Sequence, residues 1–321
     1  MIRKFITKTL ILGIFSCFLI AVAVIVPKEI LERHNDFSFE KLPSMLVIGH
    51  SHSQYAFDDR RIEDLVNISS AGQSYYYSYP KLKEVIEDNP QIKIVFIEFS
   101  NGQIEKRMDD WIWGADKMKN YFPTFSPFLG KNDLMLLFEK NRKDFIPSIS
   151  LATRENVGRL LTFDLDYTDD IGEFKPTDEN HLDSLLELKA KGISDEEIED
   201  PDLSVMNLKY LKKMIVLCQK NGVKPVLVRS PQHPEYNYLA NEKKFLFIKD
   251  SLFKEIDFLD FNEFPLKNSQ YRDFGHLNEA GAIYFSQWFD SMVQAGLLKD
   301  KDMEKSVQLE INRLKGLTLQ R

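Results

Sequence analysis

"IKIVFIEFS", Ile92 to Ser100, restricts the fold more than any other stretch of this chain. Its apolar positions run almost without a break, the pattern of a strand covered on both faces in a parallel sheet. Parallel neighbours cannot be joined by tight hairpins and need long crossovers, usually helices. Shorter runs repeat the theme: "SMLVIG" ending at Gly49, "NISSAGQS" with its glycine turn, "KPVLVRSP", and "IDFLDF" from Ile256 to Phe261. Helical patterns separate them, at Asp58 to Leu65, Tyr75 to Asp88, Val205 to Asn221 (ended by Gly222) and Asn241 to Phe253. "YRDFGHLNEAGAIYFSQWFDSMV" reads as a loop entering a helix, and the charged tail after Lys299 as helical. The alternation predicts an α/β fold, a three-layer α/β/α sandwich around a mostly parallel sheet of about five strands. It fails from Asn101 to Leu203, where no strand of that quality occurs. A largely helical insertion over 102–203 is expected there.

The first thirty residues follow another pattern. Leu10 to Val26 is 17 residues long and apolar except for Ser16. As a helix it would span about 26 Å, close to a hydrocarbon core of about 30 Å. Arg3, Lys4 and Lys8 precede it, which predicts a cytoplasmic N-terminus and an external remainder. "AVA" at Ala21 to Ala23 offers a signal-peptidase alternative, but the apolar run continues past it, which favours a retained anchor. The expected division is therefore an anchor over 1–30 and one α/β domain over 31–321. The localisation that follows is single-pass membrane, with the domain periplasmic or at the cell surface.

Composition removes some functions. The formal net charge of -7 leaves no basic stripe for phosphates, so nucleic acid is not expected as a partner. Two cysteines, Cys17 in the apolar run and Cys218 in a helical stretch, cannot build a disulfide framework.

The chemistry concentrates at the ends of the predicted strands, where open α/β sheets place their sites. Ser51 follows the first strand in "GHSHS". A serine hydroxyl needs an adjacent base, and His276 in "DFGH" is the candidate, with Asp273 three residues earlier to share its turn. Ser51 Oγ and a nitrogen of His276 are then expected about 2.6–3.2 Å apart. His50 and His52 could instead share a metal in the manner of barrel hydrolases. Those need eight β-α units and further ligands, and about five units are read here, so no metal is expected. His50 and His52 are assigned to the wall of the serine's pocket, and His233, after the fourth strand, is placed there too. "DLDYTDDIGEF" lacks the glycine and glutamate of a calcium loop. Trp111 to Phe128 could stack on sugar rings or form the insertion's own core.

Serine after the first strand and Asp-x-x-His after the last resemble the SGNH (GDSL-like) hydrolase superfamily, a flavodoxin-like fold. The first block appears as Gly49-His50-Ser51, with His replacing the family's Asp. "NISSAGQS" is similar to the glycine block and gives Gly72, and Asp273-Phe274-Gly275-His276 is similar to the last block. "EFSNGQ" supplies Asn101 but departs from the family's Gly-x-Asn-Asp. The resemblance implies Ser51 as nucleophile, His276 as base and Asp273 as the acid orienting it. It implies an oxyanion hole of Ser51 N–H, Gly72 N–H and the Asn101 amide, with Gln73 or Gln103 as substitutes, and no cofactor. With an anchor, the chain is similar to proteins of surface-polysaccharide O-acetylation and the D-alanyl transfer protein of teichoic acid synthesis. An extracytoplasmic O-acyl transferase or esterase acting on a cell-surface glycan is implied, served by a membrane-bound O-acyltransferase. The rival expectation is an inactive relative that binds a glycan or that acyltransferase.

Overall fold

The computed structural model describes residues 1–192 and 202–318. Five strands make one sheet: β1 Met45–Ile48, β2 Leu65–Asn67, β3 Ile94–Glu98, β4 Lys224–Arg229 and β5 Phe258–Asp260. Their order is β2-β1-β3-β4-β5 and every pairing is parallel. Alternation along each strand then divides the side chains between two faces. Met45, Val47, Phe96, Val226, Val228 and Leu259 enter one core with Phe285 and Phe289 of the helix Glu279–Gln294 and Val307 and Ile311 of the helix Met303–Thr318. On the opposite face Tyr75–Asp88 packs beside Val205–Lys220, and Phe99 packs against Phe245 and Phe253. The strand order reverses between β1 and β3, which opens a crevice outside their carboxyl ends.

Local chemistry altered one expected element. Asp58 to Asp64 is turn and bend rather than helix, and Leu65 already begins β2. The buried Asp58 carboxylate is held by Arg60, and Asp64 sits at φ 62, where its carboxylate accepts from Ser44. Short acidic side chains that bond nearby backbone and side chains compete with a helix in this way.

The chain divides into two compact units. One contains Met1–Phe37 and Ile112–Asp170, the other Ser38–Trp111 and Ile171–Arg321 with the whole sheet. The expected borders at residue 30 and at 102–203 differ from this because the partners of these segments lie far away in sequence. In the first unit the helix Ile2–His34 leaves its apolar residues exposed from Ile2 to Val26, apart from the half-buried Val24, and fully buries only Pro27 and Leu31. It is a long apolar N-terminal helix, of the kind found as a membrane anchor or a signal sequence. Just beyond it, Asp36 exchanges backbone bonds with Leu165 and Tyr167, and Phe37 stacks on Tyr167 at 5.1 Å. Phe122, Phe125 and Phe128 are buried, so these aromatics serve the unit's own core. The acidic run after Asp164 supplies counter-ions, Asp164 and Asp170, to Arg159.

In the second unit a buried lysine fixes the loop after β2. Lys81 Nζ donates to Ile68 O at 2.8 Å and to Ile171 O at 2.7 Å.

Candidate functional site

The site lies at the carboxyl ends of β1, β3 and β4. Gly49 ends β1 because nothing larger fits: a Cβ there would stand 2.3 Å from Glu98 Cβ and 2.4 Å from Ser53 Oγ. The chain turns at once into the helix Ser51–Ala56, with Ser51 its first residue. His50 is the N-cap, its Nδ1 accepting from His52 N–H at 3.4 Å.

Asp273 and His276 occupy one tight turn. Arg272 N–H donates to His276 O, and Gly275 N–H donates to Asp273 Oδ1 at 2.9 Å. Asn278 then caps the helix Glu279–Gln294 by accepting from Gly281 N–H. The turn aims His276 at both partners. Its Nδ1 lies 2.8 and 3.0 Å from the two Asp273 oxygens, and its Nε2 lies 2.7 Å from Ser51 Oγ. A carboxylate on Nδ1 places the neutral ring's proton there and leaves Nε2 to accept the serine's. Burial pushes the Asp273 carboxyl up, but bonds from His276 and Gly275 and the charge of Arg272 outweigh it and hold it below its ordinary value.

The loop carrying Gly72 rests against the serine's helix. Ser70 N–H donates to Gly49 O at 3.0 Å, Ala71 N–H to Gln54 Oε1 at 3.0 Å, and Gln54 Nε2 to Ser69 O. Gly72 has φ 74, a left-handed conformation that suits glycine.

Asn101 departs from its expected role. It is fully buried, and its amide donates to Glu242 Oε2 at 2.7 Å and Asn241 Oδ1 at 3.1 Å. Its Oδ1 accepts from Arg229 Nη1 at 3.0 Å. With both N–H bonds committed, the amide has none left for an oxyanion. Of the two substitutes, Gln103 Oε1 accepts from Asn207 Nδ2. Gln73 Oε1 accepts from Ser78 Oγ, while its buried Nε2 has no hydrogen-bond partner among the described residues.

His50 and His52 line the site from below. His50 Nε2 lies 3.2 Å from Ser100 Oγ, and burial first, then the charges of His276 and Arg107, push its pKa down to about 3. His52 sits between Gln232 and Tyr236 and is shifted well down, chiefly by burial. Together with Glu98 these histidines place ligand atoms within 4.8 Å of one another. Each ring nitrogen already faces a protein partner, and the Glu98 oxygens accept from Ser230 N–H and Oγ–H. The trio is thus a hydrogen-bonded wall as it stands. Burial pushes the Glu98 carboxyl up to about 7 against the opposing bonds of Ser230. His233 serves the scaffold: its backbone N–H donates to Phe274 O, its Nδ1 accepts from Glu235 N–H, and its ring packs on Tyr271.

Glu98, Gln232, Tyr236 and Arg107 were not singled out from the sequence. Glu98 had a signal, a lone acid inside an apolar strand. Arg107 pairs with Glu105 at 2.8 Å, and its charge reaches His50 and His52.

A model of an uncharacterised family matches residues 164–298, which takes in β4, β5 and the Asp273–His276 turn but not Ser51. No curated protein matches the sequence.

Proposed function

We propose that the chain is a serine-dependent O-acyl transferase or esterase of the SGNH kind, with Ser51 as nucleophile, His276 as base and Asp273 as orienting acid. The observation that carries this is the continuous path Ser51 Oγ, His276 Nε2, His276 Nδ1, Asp273 at 2.7 and 2.8 Å. Ser51 Oγ attacks an acyl carbonyl while its proton passes to His276 Nε2. The leaving oxygen takes that proton, and a water or an acceptor hydroxyl later reverses the sequence. Ser51 N–H and Gly72 N–H are the backbone candidates for the oxyanion. In this reading the apolar helix Ile2–His34 is an uncleaved anchor, and the basic residues Arg3, Lys4 and Lys8 before it favour a cytoplasmic N-terminus with the remainder of the chain outside. A cell-surface glycan is the acceptor or substrate, and a membrane-bound acyltransferase supplies the acyl group.

Saturation of Asn101 is the observation that favours the second reading, an inactive relative that binds a glycan or such a partner. Hydrolysis of acetyl esters by the full chain in detergent separates the two. The full chain is required because Met1–Phe37 shares a unit with Ile112–Asp170. Active protein should lose turnover in Ser51→Ala and in His276→Ala, less in Asp273→Ala, and none with a chelator. Wild-type turnover no greater than that of Ser51→Ala would support the binding reading instead.

A further inference from the structure

Arg272 precedes Asp273 in the tight turn, and three neighbours fix its guanidinium. Nη2 pairs with Glu179 Oε2 at 2.7 Å. Cζ lies 5.1 Å from the centroid of the Tyr55 ring, within cation–π reach. The Tyr55 ring in turn packs beside His276, centroids 5.3 Å apart. The third hold is backbone: Arg272 N–H donates to His276 O at 2.9 Å, and Arg272 O accepts from His181 N–H at 2.6 Å.

Glu179 is itself tied down. It lies on the segment 171–181, which is neither helix nor strand. Ile171 O accepts from Lys81, and Lys175 N–H donates to Gln54 O on the serine's helix at 3.1 Å. Thr177 O accepts from Glu279 N–H at 2.8 Å, and Thr177 Oγ1 accepts from Glu179 N–H at 3.2 Å. The segment thus fastens the guanidinium to the serine's helix and to the helix that follows His276.

From there Arg272 supplies charge to Asp273 without a hydrogen bond. Its Nε lies 4.0 Å from Asp273 Oδ2, and this buried nitrogen has no hydrogen-bond partner among the described residues. Both Asp273 oxygens stay with His276 Nδ1, and Oδ1 also with Gly275 N–H. A guanidinium forked onto that carboxylate would compete for the lone pairs that orient the imidazole. A cation about 4–6 Å away still favours an ionised carboxylate, and it disfavours a second positive charge on the ring beyond.

Resting on the nucleophile reading above, we propose that Arg272, clamped by Glu179 and Tyr55, is a positioning residue that holds Asp273 ionised and His276 unprotonated in the resting site, and so sets the lower pH limit of turnover. The base must be neutral to take the Ser51 proton, and its partner must be anionic to stabilise the imidazolium that forms. The other titratable groups facing this pair are His50, His52 and Tyr236, which burial keeps neutral, and Glu98 beneath the histidines, raised by burial to about 7. Arg107, paired with Glu105, adds a charge that reaches His50 and His52. Glu179 also faces His181 Nε2 at 3.6 Å. None of these changes when Arg272 is replaced, so a difference between variants belongs to Arg272.

The test is the pH dependence of kcat/KM for acetyl ester hydrolysis by the full chain in detergent, for wild type, Arg272→Gln and Arg272→Lys. The acid limb of that profile reads the base of the free enzyme. Removing the cation eases protonation of His276 and Asp273 alike, so Arg272→Gln should move the limb up by about half to one pH unit. A one-unit move is a roughly tenfold loss at low pH, against no more than about threefold on the high-pH plateau. Arg272→Lys keeps a charge and should bring the limb roughly half-way back or more. The position of the limb is read from active molecules only, so partial misfolding does not alter it. A limb left in place by Arg272→Gln, a profile lowered by one factor at every pH, or a limb displaced equally in both variants would overturn the assignment of Arg272 while Ser51→Ala still abolished turnover. Wild-type turnover no greater than that of Ser51→Ala would instead overturn the nucleophile reading itself.

Discussion

Two neighbouring strand ends in one sheet have opposite characters. After β1, Ser51 faces His276 and Asp273, and the pair is only partly buried, with side chains 22% and 28% exposed. After β3, Asn101 is sealed among Arg229, Glu242 and Asn241. Both residues stand at the crevice where α/β sheets place ligands. What separates them is hydrogen-bond capacity. The first cluster has a proton to move, and the second has every donor of its amide satisfied. Position at a strand end makes a residue a candidate, and its remaining donors and acceptors decide what it can do.

The sharpest way to break this contrast is to delete each member in turn. Ser51→Ala should cut kcat for acetyl ester hydrolysis by roughly 10⁴–10⁶ with little change in melting temperature, as removal of a nucleophile does. Arg229→Met should do the reverse. It leaves the Asp260 and Glu242 carboxylates without their shared partner and should cost roughly 3–5 kcal/mol in denaturant unfolding, with kcat per folded molecule unchanged. A large loss of kcat in Arg229→Met would mean that the β3 cluster takes part in the chemistry.

A pH series sharpens the same point at Glu98, which carries the wall beneath Ser51. The folded state raises this carboxyl from an ordinary 4.5 to about 7 by burial. Between those values the folded chain binds more protons than the unfolded chain, so stability is highest below the window and falls as pH rises through it. The contribution is on the order of 3 kcal/mol. Glu105, also raised to about 7 by burial, adds a slope of the same sign. Glu98→Gln should remove its part of the slope between pH 5 and 7 in urea unfolding. An unchanged slope would place the titration elsewhere.

Smaller still, Asn101→Ala should cost about 2 kcal/mol through the partners it leaves unmatched, with kcat within a few-fold of wild type. A 10²-fold fall in kcat would restore Asn101 to the oxyanion hole.

Much of this molecule is readable along the chain. Near-continuous apolar runs gave away β1, β3 and β4; the glycine end of β1 pointed to Ser51, and the Asp-x-x-His spacing after β5 pointed to the Asp273–His276 turn. These features are local, a few residues of pattern each. The bonds that hold the Asn101 amide were not legible because its partners lie 128 to 141 residues away and nothing near it announces them. The joining of Met1–Phe37 to Ile112–Asp170 was hidden for the same reason, since Phe37 finds Tyr167 only in three dimensions. The turn at Asp58 to Asp64 escaped because its acids bind locally, which composition alone reads as a helix start.

The central claim, that Ser51 is a nucleophile activated by His276, is tested most directly by a fluorophosphonate probe on the full chain, followed by peptide mass spectrometry. Such a reagent modifies a serine that has a base at hand and a hole for the developing oxyanion. The account predicts one adduct per chain on the peptide containing Ser51, absent in Ser51→Ala and nearly absent in His276→Ala. No adduct at Ser51, or labelling that persists unchanged in Ser51→Ala, would contradict it.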